Sequence, residues 1–467
     1  MRTHIRFTFA AAIALLASAL LASAPLAAQQ DGNGPASKDD TTSGTGKTVS
    51  KPSNLPPITL QHIRANDKRG INVFEAPKDD ATPFTGFTLG FGAAFTQQFQ
   101  GLGHTNTAAS NVVNGVNANQ LIAIGHGFNN AMANAYINVQ LARGVRVAMT
   151  SYLSTRHHNE TWVKDGYALI DDSPIDFAPL HTLMQYVSVK AGHFEINYGD
   201  AHFRRTDAGN AMFNPLVGNY IMDEFTTEVG GELYLRGRGP ARGAFLMGAV
   251  TNGEVRGTIL NPAKRAPAFY GKAGVDRQLA KDVRVRLTGS LLSQSKSNAQ
   301  TLYNGDRGGS RYYDVLENTA STETAQAWSG AIQPFSGAST GQHSAVINPF
   351  LKYRGLEYFG TFERAKGRGA AEPAYRTVDQ VVNEITLRGL GDNVYLSGRY
   401  NTVSGRLAGM TNDIMVKRSQ IGGGWFITPT LLTKLEYVNQ KYLDFPTKDI
   451  RNGGQFKGFM VEGTIAF

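Results

Sequence analysis

Residues 454–467 read GQFKGFMVEGTIAF, and the last nine of them decide between two classes of fold. Successive side chains of a β-strand point to opposite faces, so alternate positions share one environment. One face would carry Phe459, Val461, Gly463, Ile465 and Phe467, and the other Met460, Glu462, Thr464 and Ala466. The first face is apolar and the second mostly polar. Both a half-buried sheet and a membrane barrel give this pattern, so the rest of the chain must decide.

The N-terminus predicts export. Arg2 and Arg6 precede an apolar run at 7–21, and SAPLAA follows before the polar QQDGNG. A basic start, a short apolar centre and small residues at the cut define a secretory signal peptide. We therefore predict residues 1–28 as a signal peptide cleaved after Ala28. With no cysteine, the exported chain must fold without disulfides.

Composition excludes some classes and permits others. No later stretch of the chain approaches the roughly 18 apolar residues of a helical membrane span. A mean hydropathy of −0.26 still suits a membrane protein whose strands are each only half apolar. The formal charge of +9 would fit nucleic acid, but no nucleic-acid motif accompanies it, so we predict no such partner.

The mature chain divides into two parts. Residues 29 to about 55 are polar and rich in Gly, Ser, Thr and Pro, so they cannot bury a core. Residues 56–83 are mixed and suggest a linker or plug-like segment. We predict 29–83 as a flexible periplasmic N-terminal segment and 84–467 as the folded domain.

From Phe84 onward, about ten alternating residues and a turn recur, and about 9–11 residues cross a bilayer on a tilt. The sixteen candidate strands lie near 85–95, 133–143, 145–154, 161–170, 183–194, 226–236, 242–250, 268–278, 283–294, 344–354, 356–364, 379–389, 393–402, 414–426, 431–442 and 456–467.

Loop length follows strand parity. Connections after even-numbered strands are mostly tight, as at 143–144, 280–282 and 428–430, whereas those after odd-numbered strands are mostly long. Outer-membrane barrels have this asymmetry, with short turns on the periplasmic side. The predicted fold is therefore all-β: a transmembrane antiparallel up-and-down barrel of about 16 strands, with both termini at the short-turn end.

Charged side chains on the predicted strands must face the lumen, because Arg or Lys facing lipid at mid-membrane costs about 2–4 kcal/mol. The predicted lumen-lining basic residues are Arg146, Lys190, Lys272, Arg284, Arg286, Lys352, Arg388, Arg399, Arg418 and Lys434. The acidic ones are Glu228, Glu232, Asp276, Glu357, Glu363, Glu384, Glu436 and Glu462. Sixteen strands enclose more space than wall side chains fill, so we expect an aqueous channel with a mild preference for anions.

The third long-side connection, about 195–225, mixes charged, amide and apolar residues. Long loops of this kind are usually functional. Phe203, Met212, Phe213 and Leu216 need something to pack against, which the barrel lumen supplies. We therefore predict that this third loop folds into the lumen.

The signal peptide, sixteen strands, long third loop and terminal Phe467 together resemble a bacterial outer-membrane porin. The run VSVKAGHFEINYGDAHFRR at 187–205 resembles the phosphate-selective porin O/P group. The resemblance implies a homotrimeric diffusion channel in the outer membrane of a Gram-negative-type bacterium. It also implies that the third loop narrows the pore and that the barrel-assembly machinery recognises Phe467.

By the same resemblance, Arg204 and Arg205 would contact anions at the constriction, opposed by Asp200 and Asp207. Guanidinium groups suit phosphate or carboxylate because they donate in a planar fork. From the residues alone, these four side chains could equally pair with one another and hold the shape of the loop.

Other functions have weaker support. The spacing of His157, His158 and Glu160, or of His193 and Glu195, does not match a metal-ligand signature, so no metal or cofactor is predicted. No Ser/His set in the sequence indicates an enzyme. The predicted function is passive diffusion of small hydrophilic solutes across the outer membrane; the alternative is a structural or adhesive barrel whose surface loops, chiefly 295–343, bind a partner.

Overall fold

The computed structural model describes residues 58–75, 78, 82–154, 161–255, 264–305, 312–322 and 330–467, without the side chains of 339 and 340. The predicted signal peptide and residues 29–57 of the predicted N-terminal segment lie outside the described residues. All statements below concern the described part of the chain.

Sixteen long strands form one sheet. They are β1 Thr88–Thr105, β2 Met132–Ala142, β3 Val145–Ser154, β4 Trp162–Ile170, β5 Val187–Glu195, β6 Thr227–Arg236, β7 Ala244–Thr251, β8 Ala268–Ala280, β9 Val283–Gln294, β10 Gly337–Tyr353, β11 Leu356–Gly369, β12 Arg376–Gly389, β13 Val394–Gly405, β14 Ile414–Thr428, β15 Leu431–Leu443 and β16 Gln455–Ala466.

The sheet closes into a barrel. Each strand pairs antiparallel with its neighbours in the chain, and β1 also pairs with β16, Ala94 lying opposite Ala466. The predicted antiparallel up-and-down barrel of sixteen strands is confirmed. Strand β1 is longer than the predicted 85–95 and ends at Thr105, because it pairs with β16 over its second half.

The two ends of the barrel differ in their connections. Two-residue turns join β2 to β3, β8 to β9, β10 to β11 and β14 to β15. The longest connections, 106–131, 196–226 and 295–336, lie at the opposite end. One short-turn connection, 171–186, is longer than expected because it contains the helix α1, Ala178–Met184.

The remaining elements are short. They are the two-residue strands Val112–Val113, Val116–Asn117 and Gly127–Phe128, the strand Ser297–Gln300, and the 3-10 helices Lys68–Gly70, Ala201–Phe203 and Gly239–Ala241. No helix within the described ranges combines the length and the apolar character that a bilayer crossing requires.

Strand β16 confirms the predicted division of faces. Phe459, Val461 and Ile465 point outward and are 44–56% exposed. Met460 and Glu462 point inward and are fully buried. The same alternation holds around the barrel, giving an apolar outer face and a polar, charged inner face. This is the arrangement of a barrel with lipid outside.

The core of the molecule lies inside the barrel. An interior cluster joins inward wall residues such as Val416 and Phe456 to loop residues such as Ile221 and Leu316. Sixteen strands alone predict a wide aqueous lumen, but chain segments occupy much of it. These are the third loop (196–226), the fifth loop (295–336) and a stretch before β1 (58–75), called the inner segment below.

Candidate functional site: the interior of the barrel

The third loop crosses the lumen from β5 to the opposite wall, as predicted. Its backbone N–H groups donate to wall side chains, Val217 to Glu436 (2.7 Å), Ile221 to Asn401 (2.7 Å) and Met222 to Gln380 (2.9 Å). Buried backbone groups require partners of this kind. The inward polar residues of β12, β13 and β15 therefore anchor the loop.

Asp200 is fully buried between the third loop and the wall. It accepts hydrogen bonds from Arg286 (2.8 Å) and Thr288 (2.8 Å) and lies 2.7 Å from Lys272 Nζ. Burial would raise the pKa of the Asp200 carboxyl, but Arg286 and Lys272 outweigh burial and hold that pKa below its usual range. Asp200 thus serves as an anchor of the loop.

Arg204 reaches the far wall. Its Nη2 lies 2.7 Å from Glu384 Oε1, and its Nη1 donates to the side chain of Asn72 and lies 3.9 Å from Glu357. Glu384 also pairs with Arg399 at 2.6 Å. The predicted constriction residue Arg204 is therefore buried within a network of carboxylates.

Arg205 and Asp207 are the two predicted constriction residues that the fold brings together, at 3.5 Å. Arg205 also makes a two-pronged contact with Asp223, at 2.9 and 2.7 Å. Asp207 pairs with Lys164 of β4 at 2.6 Å. The constriction predicted from four residues is thus distributed over three separate ion-pair groups.

The ten predicted lumen-lining basic residues of the wall all point inward, and nine pair with a carboxylate. The pairs are Arg146–Asp171, Lys190–Glu232 (2.7 Å), Lys272–Asp200 (2.7 Å), Arg284–Asp276 (2.7 Å), Arg286–Asp200 (2.8 Å), Lys352–Glu357 (3.4 Å), Arg388–Glu357 (2.9 Å), Arg399–Glu384 (2.6 Å) and Lys434–Glu462 (2.6 Å). Arg418 instead donates to Gln440 (2.5 Å) and to the carbonyl of Gly330 (2.6 Å).

The inner segment supplies interior contacts that the strand pattern missed. Phe74 packs between Phe203 and Phe350, with ring centroids 5.8 and 5.5 Å apart. Glu75 lies 2.8 Å from Arg286 and 3.1 Å from Lys272. This ordered packing differs from the flexible segment predicted for 29–83. The available signal was the aliphatic content of 58–75, which is high for a solvated linker.

The same segment pairs electrostatically with the wall. Burial would raise the pKa of Glu75, but Arg286 and Lys272 lower that pKa to about 2. Glu75 is therefore ionised at neutral pH and holds the inner segment to β8 and β9.

The fifth loop fills the long-loop end of the lumen. Tyr303 donates to Glu363 at 2.6 Å, and Tyr312 donates to Glu436 at 2.5 Å. Their rings belong to the interior apolar cluster, together with Leu302 and Phe335. Both loops therefore converge on the walls formed by β10–β16.

Space remains on the other side, against β2–β6. A cavity of about 330 Å³ reaches from Asp171, near the short turns, to Lys164 and Asp165, toward the long-loop end of β4. A second cavity of about 190 Å³ lies beside Gly92 and Phe467. Five residues line both cavities: Leu60, Ile63, Arg64, Asn66 and Asn138. The inner segment thus separates the two spaces.

No protein-family model and no curated protein sequence matches the chain. Solved structures resemble it in fold. The anion-selective porin of Comamonas acidovorans has 9% identity, with 82% of this chain and 100% of that chain covered and a TM-score of 0.50. OprB of Pseudomonas putida has 9% identity, with 82% of this chain and 94% of that chain covered and a TM-score of 0.48. The channel DcaP of Acinetobacter baumannii has 8% identity, with 82% of this chain and 98% of that chain covered and a TM-score of 0.47. At these identities, the likeness shows a porin-type fold alone.

Proposed function

We propose that this protein is an outer-membrane porin that lets small hydrophilic solutes diffuse across the membrane. One observation carries the proposal: a closed barrel, apolar outside, encloses cavities with charged and amide side chains in their lining, and these cavities run along its inner wall from the short-turn end. An apolar outer band suits a bilayer, and a polar lumen suits water and solutes.

The proposal includes a mild preference for anions. Seven Lys and Arg side chains line the larger cavity against five Asp and Glu, an excess of two positive charges. In a low-dielectric wall such an excess concentrates anions. Arg205 is one of these seven, whereas Arg204 lies outside the lining of this cavity. Membership of the phosphate-selective O/P group, the homotrimer and recognition of Phe467 by the assembly machinery stay predictions.

Planar-bilayer recording of the purified protein tests the function. We expect discrete channel openings. In a salt gradient, we expect a reversal potential whose sign shows that anions permeate more easily than cations. Replacing both Arg204 and Arg205 by Ala leaves Glu384 and Asp223 less compensated, so the preference should fall. Cation selectivity of the unmodified protein would contradict the anion preference but not the channel.

A structural or adhesive barrel is the second candidate, and the filled long-loop end of the lumen favours it. The third and fifth loops form an apolar cluster there, with Ile221, Leu302 and Tyr312 buried. Such a barrel would give no channel openings under the same conditions. Electrical silence of correctly folded protein would therefore select this second function.

A further inference from the structure

We propose that Arg64, carried by the inner segment, is the residue that contacts permeating small anions, inorganic or carboxylate. This inference rests on the proposed channel function and deepens it. It places the contact on the chain before the first strand, and not on the third loop.

The position of Arg64 between the two cavities supports this assignment. Arg64 lines both the 330 Å³ cavity and the 190 Å³ cavity. Together these spaces extend from the region of Phe467 at the short-turn end to Lys164 on β4. A solute that moves along this wall must pass the inner segment, and Arg64 is the basic residue common to both sides of it.

The charge balance around the Arg64 guanidinium also supports the assignment. Among the described residues, no carboxylate lies within 4.0 Å of the Arg64 guanidinium. Arg146, Arg204 and Arg205, by contrast, each form an ion pair with a carboxylate. Two other cations of the larger cavity, Lys78 and Arg236, likewise have no ion pair in the described part of the chain. The Nζ group of Lys78 instead donates hydrogen bonds to two backbone carbonyls and to the Ser188 hydroxyl. Arg236 does not line the smaller cavity.

The third loop holds the Arg64 guanidinium in a fixed orientation. Arg64 stacks on Phe213, 3.8 Å from the ring centroid, so its plane is held by the third loop. Nε donates to Gly70 O at 2.9 Å and Nη2 donates to Phe203 O at 2.8 Å. Within the described residues, Nη1 donates no hydrogen bond. A fixed plane with one free donor group suits a single oxyanion or halide contact.

Desolvation adds to this preference. Burial lowers the pKa of Arg64 to about 9, with Glu195 opposing that effect. The group is still charged at neutral pH, yet no close counter-charge compensates it. A passing anion would supply that compensation transiently, which is what a diffusion channel requires of a contact.

The chain contains no cysteine, so a single introduced thiol can be modified alone. We would record the full-length Arg64→Cys variant in planar bilayers before and after two thiol reagents. One is a cationic methanethiosulfonate and the other an anionic one. The variant should lose at least about twofold in anion-to-cation permeability ratio. The cationic reagent should restore the ratio, and the anionic reagent should lower it further.

Arg418→Cys is the matched control. It also removes one positive charge that has no ion pair in the described residues, but Arg418 lines neither cavity. Its permeability ratio should change less than that of Arg64→Cys and should not respond to the sign of the reagent.

The outcomes separate the two proposals. A conducting unmodified protein whose Arg64→Cys variant keeps its ratio, and does not distinguish the two reagents, overturns the assignment of Arg64 alone. A response of equal size in Arg418→Cys also overturns it, because the effect would then be a general one of lumen charge. A silent unmodified protein overturns the channel and the Arg64 contact together.

Discussion

Lys434 shows how single inward charges are tolerated. It is 2% exposed, lies 2.6 Å from Glu462 and donates to Ala211 O at 2.6 Å. Removing one partner of a buried ion pair leaves the other charge uncompensated. We expect Lys434→Met to lower the free energy of unfolding by about 3–5 kcal/mol, measured by urea unfolding in lipid vesicles.

The matched control is Lys441→Met on the same strand, where the side chain is exposed and should matter little. Combining Lys434→Met with Glu462→Gln should recover part of the loss. Equal effects of the two lysine substitutions would argue against a buried pair.

Glu224, at the end of the third loop, predicts a pH dependence. Burial first, and the neighbouring Glu363 second, raise the pKa of Glu224 well above its ordinary value. The folded state then holds a proton that the unfolded state releases above about pH 4.5, so stability falls as pH rises from there. One such group contributes at most about 1.4 kcal/mol per pH unit. Glu224→Gln should remove this contribution and be tolerated at pH 7.

The check is urea unfolding between pH 5 and pH 8. Glu372→Gln is the control, because Arg376 lowers the pKa of Glu372 and that carboxyl is ionised throughout this range. Parallel pH profiles for the Glu224 variant and the unmodified protein would contradict the assignment.

At the scale of the element, the tight turns have individual steric demands. Gly144, in the turn from β2 to β3, has φ +67°, and an added Cβ would lie 2.4 Å from the backbone N of Asp172. Gly391, between β12 and β13, has φ +66° with open space around it. Replacing Gly391 by Ala should cost only the left-handed backbone penalty of about 1–2 kcal/mol. Gly144→Ala should cost roughly 1–3 kcal/mol more, because of overpacking.

Unfolding of both variants in urea measures the difference. The pair isolates the steric contribution, since the backbone conformations match. Equal losses would mean that the connection 171–186 gives way to the added methyl group.

For the molecule as a whole, the proposed membrane location requires that lipid, and not water, covers the outer face of the barrel. Ile421 lies near the middle of β14 and is 65% exposed. If lipid covers this face, Ile421→Arg should cost about 2–4 kcal/mol in vesicles. Leu390→Arg, in a short turn and 79% exposed, should cost only about 0–1 kcal/mol. Comparable small losses at both sites would indicate that water covers the mid-barrel face.

The strands and their faces could be predicted because period-two alternation is a local property. In β9, Arg286 is predicted to face the lumen, and the structure agrees, with Leu291, two and a half repeats further on, exposed on the outer face. The partners of Arg286 could not be predicted in the same way. Asp200 and Glu75 lie 86 and 211 residues away in the chain, and no local pattern relates such distant positions.

The amino-acid sequence by itself determined a closed sixteen-strand barrel, its apolar outer face, its inward charges and the long third loop. Each follows from side-chain alternation and loop length, which are encoded over about ten residues at a time. Only the tertiary structure decided how the lumen is filled: by the inner segment, the third loop and the fifth loop, with Arg204 and Arg205 paired and Arg64 between two cavities. The physical reason is that pairing inside a barrel depends on which distant segments meet there, and burial selects the partner that satisfies each charge.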